Sequence, residues 1–78
     1  MRNLFFYSNI RYLINKNYPS IYSFTKNNKQ LKQNTIQDYY KRIDGKSIFP
    51  KFENVLLLAE IFTVSLDDLI YTDLSIRS

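Results

Sequence analysis

The side chains that could carry out chemistry are few, because this 78-residue sequence has no His, Cys or Trp. Without imidazole or thiolate it offers no Ser–His or Cys–His nucleophile pair, no disulfide, and no zinc site built on those ligands. The adjacent carboxylates Asp67 and Asp68 follow Ser65 at the spacing of a capped helix start, where acids complement the helix dipole. The sequence therefore predicts a binding protein without metal or cofactor, and not an enzyme.

Charge is divided unevenly along the chain, although the formal net value is only +4. Residues 1–52 carry ten Lys or Arg against two acids, and residues 53–78 carry one base against five acids, so the two parts have charges of +8 and −4. Such polarity suits a protein that places one face on a polyanion. Two ordinary solvated surfaces would give the same counts, so charge alone leaves both interpretations open.

Apolar residues make up 45% of the chain, enough for one small folded domain, and they are not gathered into a membrane span. The apolar run Val55–Ala59 is far shorter than the roughly 20 residues that a spanning helix needs. The apolar start at Leu4–Tyr7 is broken by Ser8 and Asn9 before the core of a signal peptide can form. A cytoplasmic location is the expectation.

In the first part of the chain, apolar side chains recur at intervals of three and four residues, the period of an amphipathic helix. A first helix is predicted over Leu4–Lys16, and Pro19 ends it because the residue before a proline avoids helical geometry. Ser20 is placed to cap a second, short helix over Ile21–Asn27. The residues expected to face inward are Phe6, Ile10, Leu13, Ile14, Ile21 and Phe24.

A polar stretch, residues 27–34, separates the second helix from the third and is predicted to be a loop. Thr35 is the expected N-cap of the third helix, with Asp38 completing a weak capping box. This helix is predicted to run to Asp44, where Gly45 supplies a left-handed stop. The residues expected to face inward are Leu31 in the loop and Ile36, Tyr39 and Ile43 in the helix.

Two more helices complete the predicted fold. Pro50 lies near the start of the fourth, where its missing N–H costs little, and Ser65 with Asp68 caps the fifth. The residues expected to be buried are Phe52, Val55, Leu58, Ala59, Phe62, Leu66, Leu69 and Ile70. Since no run alternates with period two, the predicted fold class is all-α, a single domain of five short helices.

The order and spacing of several segments resemble the Cro/phage-repressor (XRE-like) type of helix-turn-helix domain, over about residues 9–71. The segments that carry the resemblance are Asn9–Leu13, Ser20–Thr25, Thr35–Gly45, Pro50, Ala59 and Val64–Ile70. The match is closest from Gly45 onward. It implies a compact five-helix, lambda-repressor-like fold whose third helix enters the major groove of DNA.

Two departures from this family are visible. Thr25 and Thr35 lie ten residues apart, which implies a lengthened turn between the second and third helices. Arg42 stands where the family usually packs an aromatic or aliphatic side chain, so we expect its guanidinium to reach the surface along its apolar stem.

The resemblance also implies which residues contact DNA. Major-groove base contacts are expected from Ile36, Gln37, Tyr40 and Lys41, since amides and ammonium groups pair with base edges and apolar groups meet thymine methyls. Phosphate contacts are expected from Ser20, Lys32, Asn34, Thr35, Lys46, Ser47 and Lys51. The polar members of both sets would also suit an ordinary solvated surface.

On the fourth helix, Leu57 and Ile61 lie four residues apart, where the family usually has polar residues, and Leu56 adjoins them. An apolar surface of this kind is common at protein interfaces. We expect a homodimer through helices four and five, and the alternative is a larger core covered by the N-terminal residues.

The function that these patterns favour is that of a sequence-specific DNA-binding transcriptional regulator. It would be a repressor of phage or mobile-element type, either complete or the N-terminal domain of a longer protein, that occupies an operator in double-stranded DNA. The alternative is a protein-interaction module, such as an antitoxin or anti-repressor, that keeps the helix-turn-helix fold. A third interpretation is nonspecific binding of nucleic acid or an anionic surface by the basic part.

Overall fold

Five α-helices and a final 3-10 turn make up residues 4–76, the part of the chain that the computed structural model describes, and no strand occurs among them. The helices are α1 (Phe6–Asn17), α2 (Ile21–Asn27), α3 (Gln33–Lys41), α4 (Phe52–Phe62) and α5 (Leu66–Tyr71), and the 3-10 turn is Leu74–Ile76. The all-α prediction is confirmed. Two of the charged residues counted above, Arg2 and Arg77, lie outside the described residues.

The centre of the molecule is α1, which packs against α3 and α5. Phe6, Ile10 and Ile14 are almost fully buried, as their helical spacing predicts. The radius of gyration is 11.6 Å, close to the roughly 11.5 Å expected for a folded chain of this length. These residues therefore lie in one continuous core.

The start of α1 lies two residues later than predicted, because its cap comes from a distant part of the chain. The Asp44 carboxylate accepts hydrogen bonds from the Tyr7 N–H at 2.8 Å and from the Ser8 N–H and Oγ–H at 3.0 Å. An acid at this position satisfies free N–H groups and complements the helix dipole. The turn after α3 is thereby fastened to the N-terminus of α1.

The side chain of Asn9 joins α1 to the C-terminal end of the molecule. Its Nδ2 donates to the carbonyls of Leu69 at 2.8 Å and Thr72 at 2.7 Å, and its Oδ1 accepts from the Leu74 N–H at 3.0 Å. Asn9 is 1% exposed, so these bonds satisfy a polar group inside the core.

The second helix begins as predicted. The Ser20 Oγ accepts a hydrogen bond from the Ser23 N–H at 3.0 Å, and Phe24 is fully buried. The connection to α3 spans residues 28–32 and is anchored by Leu31, which is also buried. The expectation for this loop residue is confirmed.

The limits of α3 differ from the prediction at both ends. It begins at Gln33 after the N-cap Lys32, so Thr35 lies inside the helix and the capping box with Asp38 is wrong. With Leu31 buried, the chain turns into the helix directly after that anchor.

The C-terminal end of α3 is set by Arg11, whose Nη1 donates to the carbonyls of Tyr40 at 3.1 Å and Arg42 at 2.7 Å. The helix therefore ends at Lys41, and Ile43, which was expected to face inward, is largely exposed. Gly45 does adopt a left-handed conformation, with φ of +81°, but within the following turn and not as the helix cap.

The inner side of α4 contains Val55, Leu58 and Ala59, all buried as predicted. Phe62 is half-buried and its ring stacks on Phe24, with centroids 5.4 Å apart. Phe52 was expected in the core but is 62% exposed. It is the first residue of the helix, and the buried residue at this end is Pro50.

The last helix, α5, confirms its predicted cap. The Ser65 Oγ accepts from the Asp68 N–H at 3.1 Å. Leu69 is fully buried, whereas Leu66 and Ile70 are half-buried against the core.

Candidate nucleic-acid interface

The third helix has one apolar side and one polar side, and it packs on α1 and α2 through the apolar one. Ile36 and Tyr39 are buried, and Tyr39 also accepts a hydrogen bond at its hydroxyl from Asn54 Nδ2 at 3.0 Å. The exposed residues of the helix are Gln33, Asn34, Gln37, Asp38 and Lys41. The polar side of α3 is therefore free to meet a macromolecule.

Ile36 is a correction to the sequence analysis. It was expected to contact a thymine methyl, but none of its surface is exposed and it lies in the core. Earlier initiation of the helix explains the difference, since position 36 falls on the inner side together with Tyr39. Gln33 takes a place on the outer side that the sequence analysis did not assign, because residues 33–34 were taken as loop.

Tyr40 is half-buried, and its hydroxyl donates to the Asn15 Oδ1 of α1 at 2.6 Å. The ring thus takes part in the contact between α1 and α3. A contact between Tyr40 and a base stays a prediction, and it would have to compete with this hydrogen bond. Gln37 and Lys41 have exposed side chains, as a base contact requires.

A cleft of about 190 Å³ lies where the α2–α3 turn meets the first residues of α3 and α4. Its lining residues are Gln30, Leu31, Lys32, Thr35, Lys51, Glu53 and Asn54. Three of the expected phosphate contacts, Lys32, Thr35 and Lys51, are thereby brought together although they are far apart in sequence. Glu53 is the one acid in this lining.

Both helices that open onto this cleft begin without a side-chain cap. The N-cap residues are Lys32 for α3 and Lys51 for α4, and neither side chain bonds a backbone N–H at its own helix start. The first N–H groups of a helix have no partner within it and carry the positive end of its dipole. Such ends favour a phosphate oxygen.

The turn after α3 holds Lys46 and Ser47. Lys46 is exposed, whereas Ser47 is half-buried and its Oγ accepts from the Ile43 N–H at 3.1 Å. The Ser47 hydroxyl therefore helps to close the turn and still has a proton to donate. Asn34 and Ser20 are both exposed, and Ser20 is in addition the cap of α2.

The two acids of the basic part, Asp38 and Asp44, are both engaged. Asp38 Oδ2 accepts from Arg42 Nε at 2.7 Å in an ion pair one helical turn apart, and Asp44 caps α1. The Arg42 Nη1 also donates to the Ile48 carbonyl at 3.1 Å. Arg42 thus offsets the one acid on the outer side of α3, a role that the sequence analysis did not assign.

The Arg42 guanidinium also lies 6.0 Å from the centre of the Tyr7 ring. The hydrogen bond with Asp38 raises the pKa of Arg42 above its ordinary value. Burial raises the pKa of Tyr7, although nearby Arg42 opposes that effect. The Tyr7 hydroxyl donates to the Ile48 carbonyl at 2.5 Å. The turn between α3 and α4 is therefore held from α1 as well as from α3.

The expected partner surface is only partly exposed. Leu56 is 39% exposed, but Leu57 and Ile61 are half-buried and pack against the core. Treating those two as surface residues was wrong, because the core reaches further around α4 than a single stripe. The large apolar residues exposed nearby are instead Ile48, Phe49 and Phe52.

No protein-family model matches the chain, and no significant match was found among curated proteins or solved structures. Within residues 4–76 no cluster of acidic residues is arranged to hold a metal ion. In the same residues no helix has the length and hydrophobicity needed to cross a bilayer.

Proposed function

We propose that this protein is a sequence-specific DNA-binding transcriptional regulator with the helix-turn-helix arrangement of the Cro/phage-repressor type. The observation that carries the proposal is the two-sided character of α3. Its inner residues Ile36 and Tyr39 are buried, while its outer side is polar and has exposed lysines beyond both ends. A major groove about 12 Å wide admits one such helix.

Base reading falls to the exposed side chains of α3. Gln37 can pair through its amide with adenine N6 and N7, and Lys41 can donate to guanine O6 or N7. Gln33, at the first position of the helix, adds a second amide where an HTH recognition helix makes its contacts. All three are exposed.

Phosphate contacts fall to the residues at the edges of that helix. Lys32 and Lys51 share the cleft at the starts of α3 and α4, and Lys46 lies in the turn beyond the other end of α3. Phosphate contacts fix the position of a protein on DNA without reading its sequence. The ion pair of Asp38 with Arg42 reduces the repulsion that a free carboxylate would cause here.

A chain of this size gains affinity when two copies bind two half-sites one helical turn of DNA apart. We therefore include a homodimer in the proposal, with double-stranded DNA as the second partner. Repression would follow from occupation of an operator, and no catalysis is involved.

The test is a salt titration of binding to fragments of the genome that encodes the protein, in the presence of competitor DNA. Retention of one or a few fragments, with log K falling linearly against log salt, is the expected result. Equal retention of every fragment would reduce the function to nonspecific binding.

The side-chain roles are tested on the preferred fragment. Gln37→Ala should cost about 1–3 kcal/mol and relax specificity, whereas Lys46→Ala should weaken binding to all DNA alike. Gln30→Ala, which removes an exposed amide from the α2–α3 turn, is the matched control and should keep specificity. Equal losses from Gln37→Ala and Lys46→Ala would contradict this division of roles.

A protein-interaction module remains the second candidate function, because Ile48 is 80% and Phe52 62% exposed beside the proposed phosphate contacts. Exposed apolar surface next to basic residues also suits a protein partner. Absence of any DNA retention at low salt would favour this function over the first.

A further inference from the structure

Large apolar side chains are exposed along one line, from the turn before α4 to the middle of that helix. Their exposed fractions are Ile48 80%, Phe49 46%, Phe52 62% and Leu56 39%. Within α4, Phe52 and Leu56 are four residues apart, and Glu60 follows after four more, so the three lie along one side of the helix. We call Phe52, Leu56 and Glu60 the outer face of α4.

The core does not account for this face. On the inner side of α4, Val55 and Leu58 are fully buried. The outer face is left uncovered by the rest of residues 4–76, as its exposure shows. Exposed apolar residues in continuous array mark a surface that another molecule covers.

The charges at the two ends of the face are opposite. Lys51 precedes Phe52 at the N-terminal end, and Glu60 lies at the C-terminal end, both exposed. Such a face is complementary to itself when two copies lie antiparallel, since a two-fold axis places one end of each helix against the other end of its copy. A partner of uniform charge would match one end and repel the other.

We infer that a second copy of this chain docks on the outer face of α4, antiparallel, with the two-fold axis at Leu56. Phe52 and Glu60 each lie four residues from Leu56, or about 6 Å along the helix axis. Leu56 then meets Leu56 of the copy, and Phe52 lies opposite Glu60 of the copy. Lys51, one residue further, has that carboxylate within reach, and the contact occurs twice.

The inference deepens the proposed function, since it locates the homodimer that the proposal includes. The outer face of α4 is continuous with the turn that holds Lys46, so pairing here brings the phosphate-binding turns of two copies near the two-fold axis. Lys51 lies where the two surfaces meet, and an ammonium has three donors, enough for a carboxylate and a phosphate together.

Sedimentation equilibrium without DNA tests the surface. The unaltered chain should form dimers as its concentration rises. Phe52→Ser and Leu56→Ser should each raise the dimer Kd by about tenfold or more, because each removes a contact near the centre of the interface twice. Tyr22→Ser is the matched control, since Tyr22 is 60% exposed on α2, and it should leave the dimer Kd unchanged.

An exchange of charges tests the antiparallel register. Glu60→Lys should raise the dimer Kd by about fivefold and Lys51→Glu should do the same, whereas the double variant should restore dimerisation. Asp67→Lys, an equal change at an exposed acid of α5, should have no effect. Circular dichroism melting confirms that each variant is folded.

A chain that stays monomeric at high concentration, or a dimer that survives Phe52→Ser and Leu56→Ser, would overturn the inference. Failure of the double charge variant to regain the dimer would overturn the register. Because these measurements contain no DNA, they are independent of the proposed function. Dimers without DNA retention would contradict that function alone, and DNA retention by a monomer would contradict this surface alone.

Discussion

At the scale of single residues, polar side chains of α1 and the turn after α3 hold the helices together. Asn9, Arg11 and Asp44 each bond backbone groups of another helix or of its flanking residues, and their partners are 29 to 65 residues away. All buried side-chain nitrogens and oxygens in residues 4–76 have hydrogen-bond partners. Loss of such a side chain leaves the partner groups unsatisfied, which costs more than the bonds contribute.

Asn9→Ala should therefore lower the free energy of unfolding by about 3 kcal/mol, because it leaves the Leu69 and Thr72 carbonyls and the Leu74 N–H without their partner. Chemical denaturation measures the change. Asn27→Ala, at an exposed position of α2, is the control. A loss as small for Asn9→Ala as for the control would contradict this assignment.

Tyr7 predicts a pH dependence of stability. Its pKa in the folded chain is above the ordinary value of 10, chiefly through burial, so above pH 10 the unfolded chain binds fewer protons than the folded one. The free energy of unfolding should be fully retained below pH 10 and fall as the pH rises through the raised pKa. Tyr7→Phe should remove this part of the decline and lower stability near neutral pH by about 1 kcal/mol, through loss of the bond to Ile48.

Denaturation curves from pH 8 to 11 on both proteins provide the measurement. Tyr22→Phe, which removes the hydroxyl of an exposed ring, is the matched variant. If the difference between the unaltered chain and Tyr7→Phe stays constant across this range, the burial of the Tyr7 hydroxyl does not control the decline.

At the scale of elements, local signals place most helices but fail where the end is determined from elsewhere. Ser20 and Ser65 cap α2 and α5 as predicted, because each bonds an N–H three residues along the same chain segment. The limits of α3 were mispredicted because the buried Leu31 and the Arg11 contacts set them.

The end of α4 provides a prediction at this scale. Thr63 caps it in the left-handed region, with φ of 56°, which is unfavourable for a β-branched residue. Thr63→Gly should therefore raise the free energy of unfolding by about 0.5–1 kcal/mol. Thr35→Gly, inside α3, is the opposite case and should lower it by about 1 kcal/mol. A loss of stability in Thr63→Gly would show that its side-chain contacts outweigh the backbone strain.

At the scale of the whole molecule, folding changes what the charge count means. Asp38 is paired with Arg42 and Asp44 is occupied at the start of α1, so neither acid of the basic part is a free counter-charge. Exposed Lys32, Lys46 and Lys51 are therefore not offset by these acids. The polarity that the sequence indicated is stronger on the surface than in the count.

The salt dependence of DNA binding should report this polarity. Each phosphate that a lysine neutralises contributes about −0.9 to the slope of log K against log salt. Lys46→Ala should reduce the magnitude of the slope by about one per chain, while Lys16→Ala should leave it unchanged. Lys16 is the matched lysine because it lies in another cleft with Tyr12, Val64 and Asp68. Equal slopes for both variants would mean that binding does not distinguish the two surfaces.

The sequence by itself determined the all-α class, the approximate positions of five helices, most of the buried residues and two helix caps. Those features depend on periodicity and on contacts within a few residues, so they can be recognised from neighbours along the chain. Only the tertiary structure decided that Ile36 is buried while Ile43 and Phe52 are exposed, and that Lys32 and Lys51 share a cleft. Asp44, Arg11 and Asn9 set those outcomes through bonds between distant segments, and no local pattern encodes such bonds.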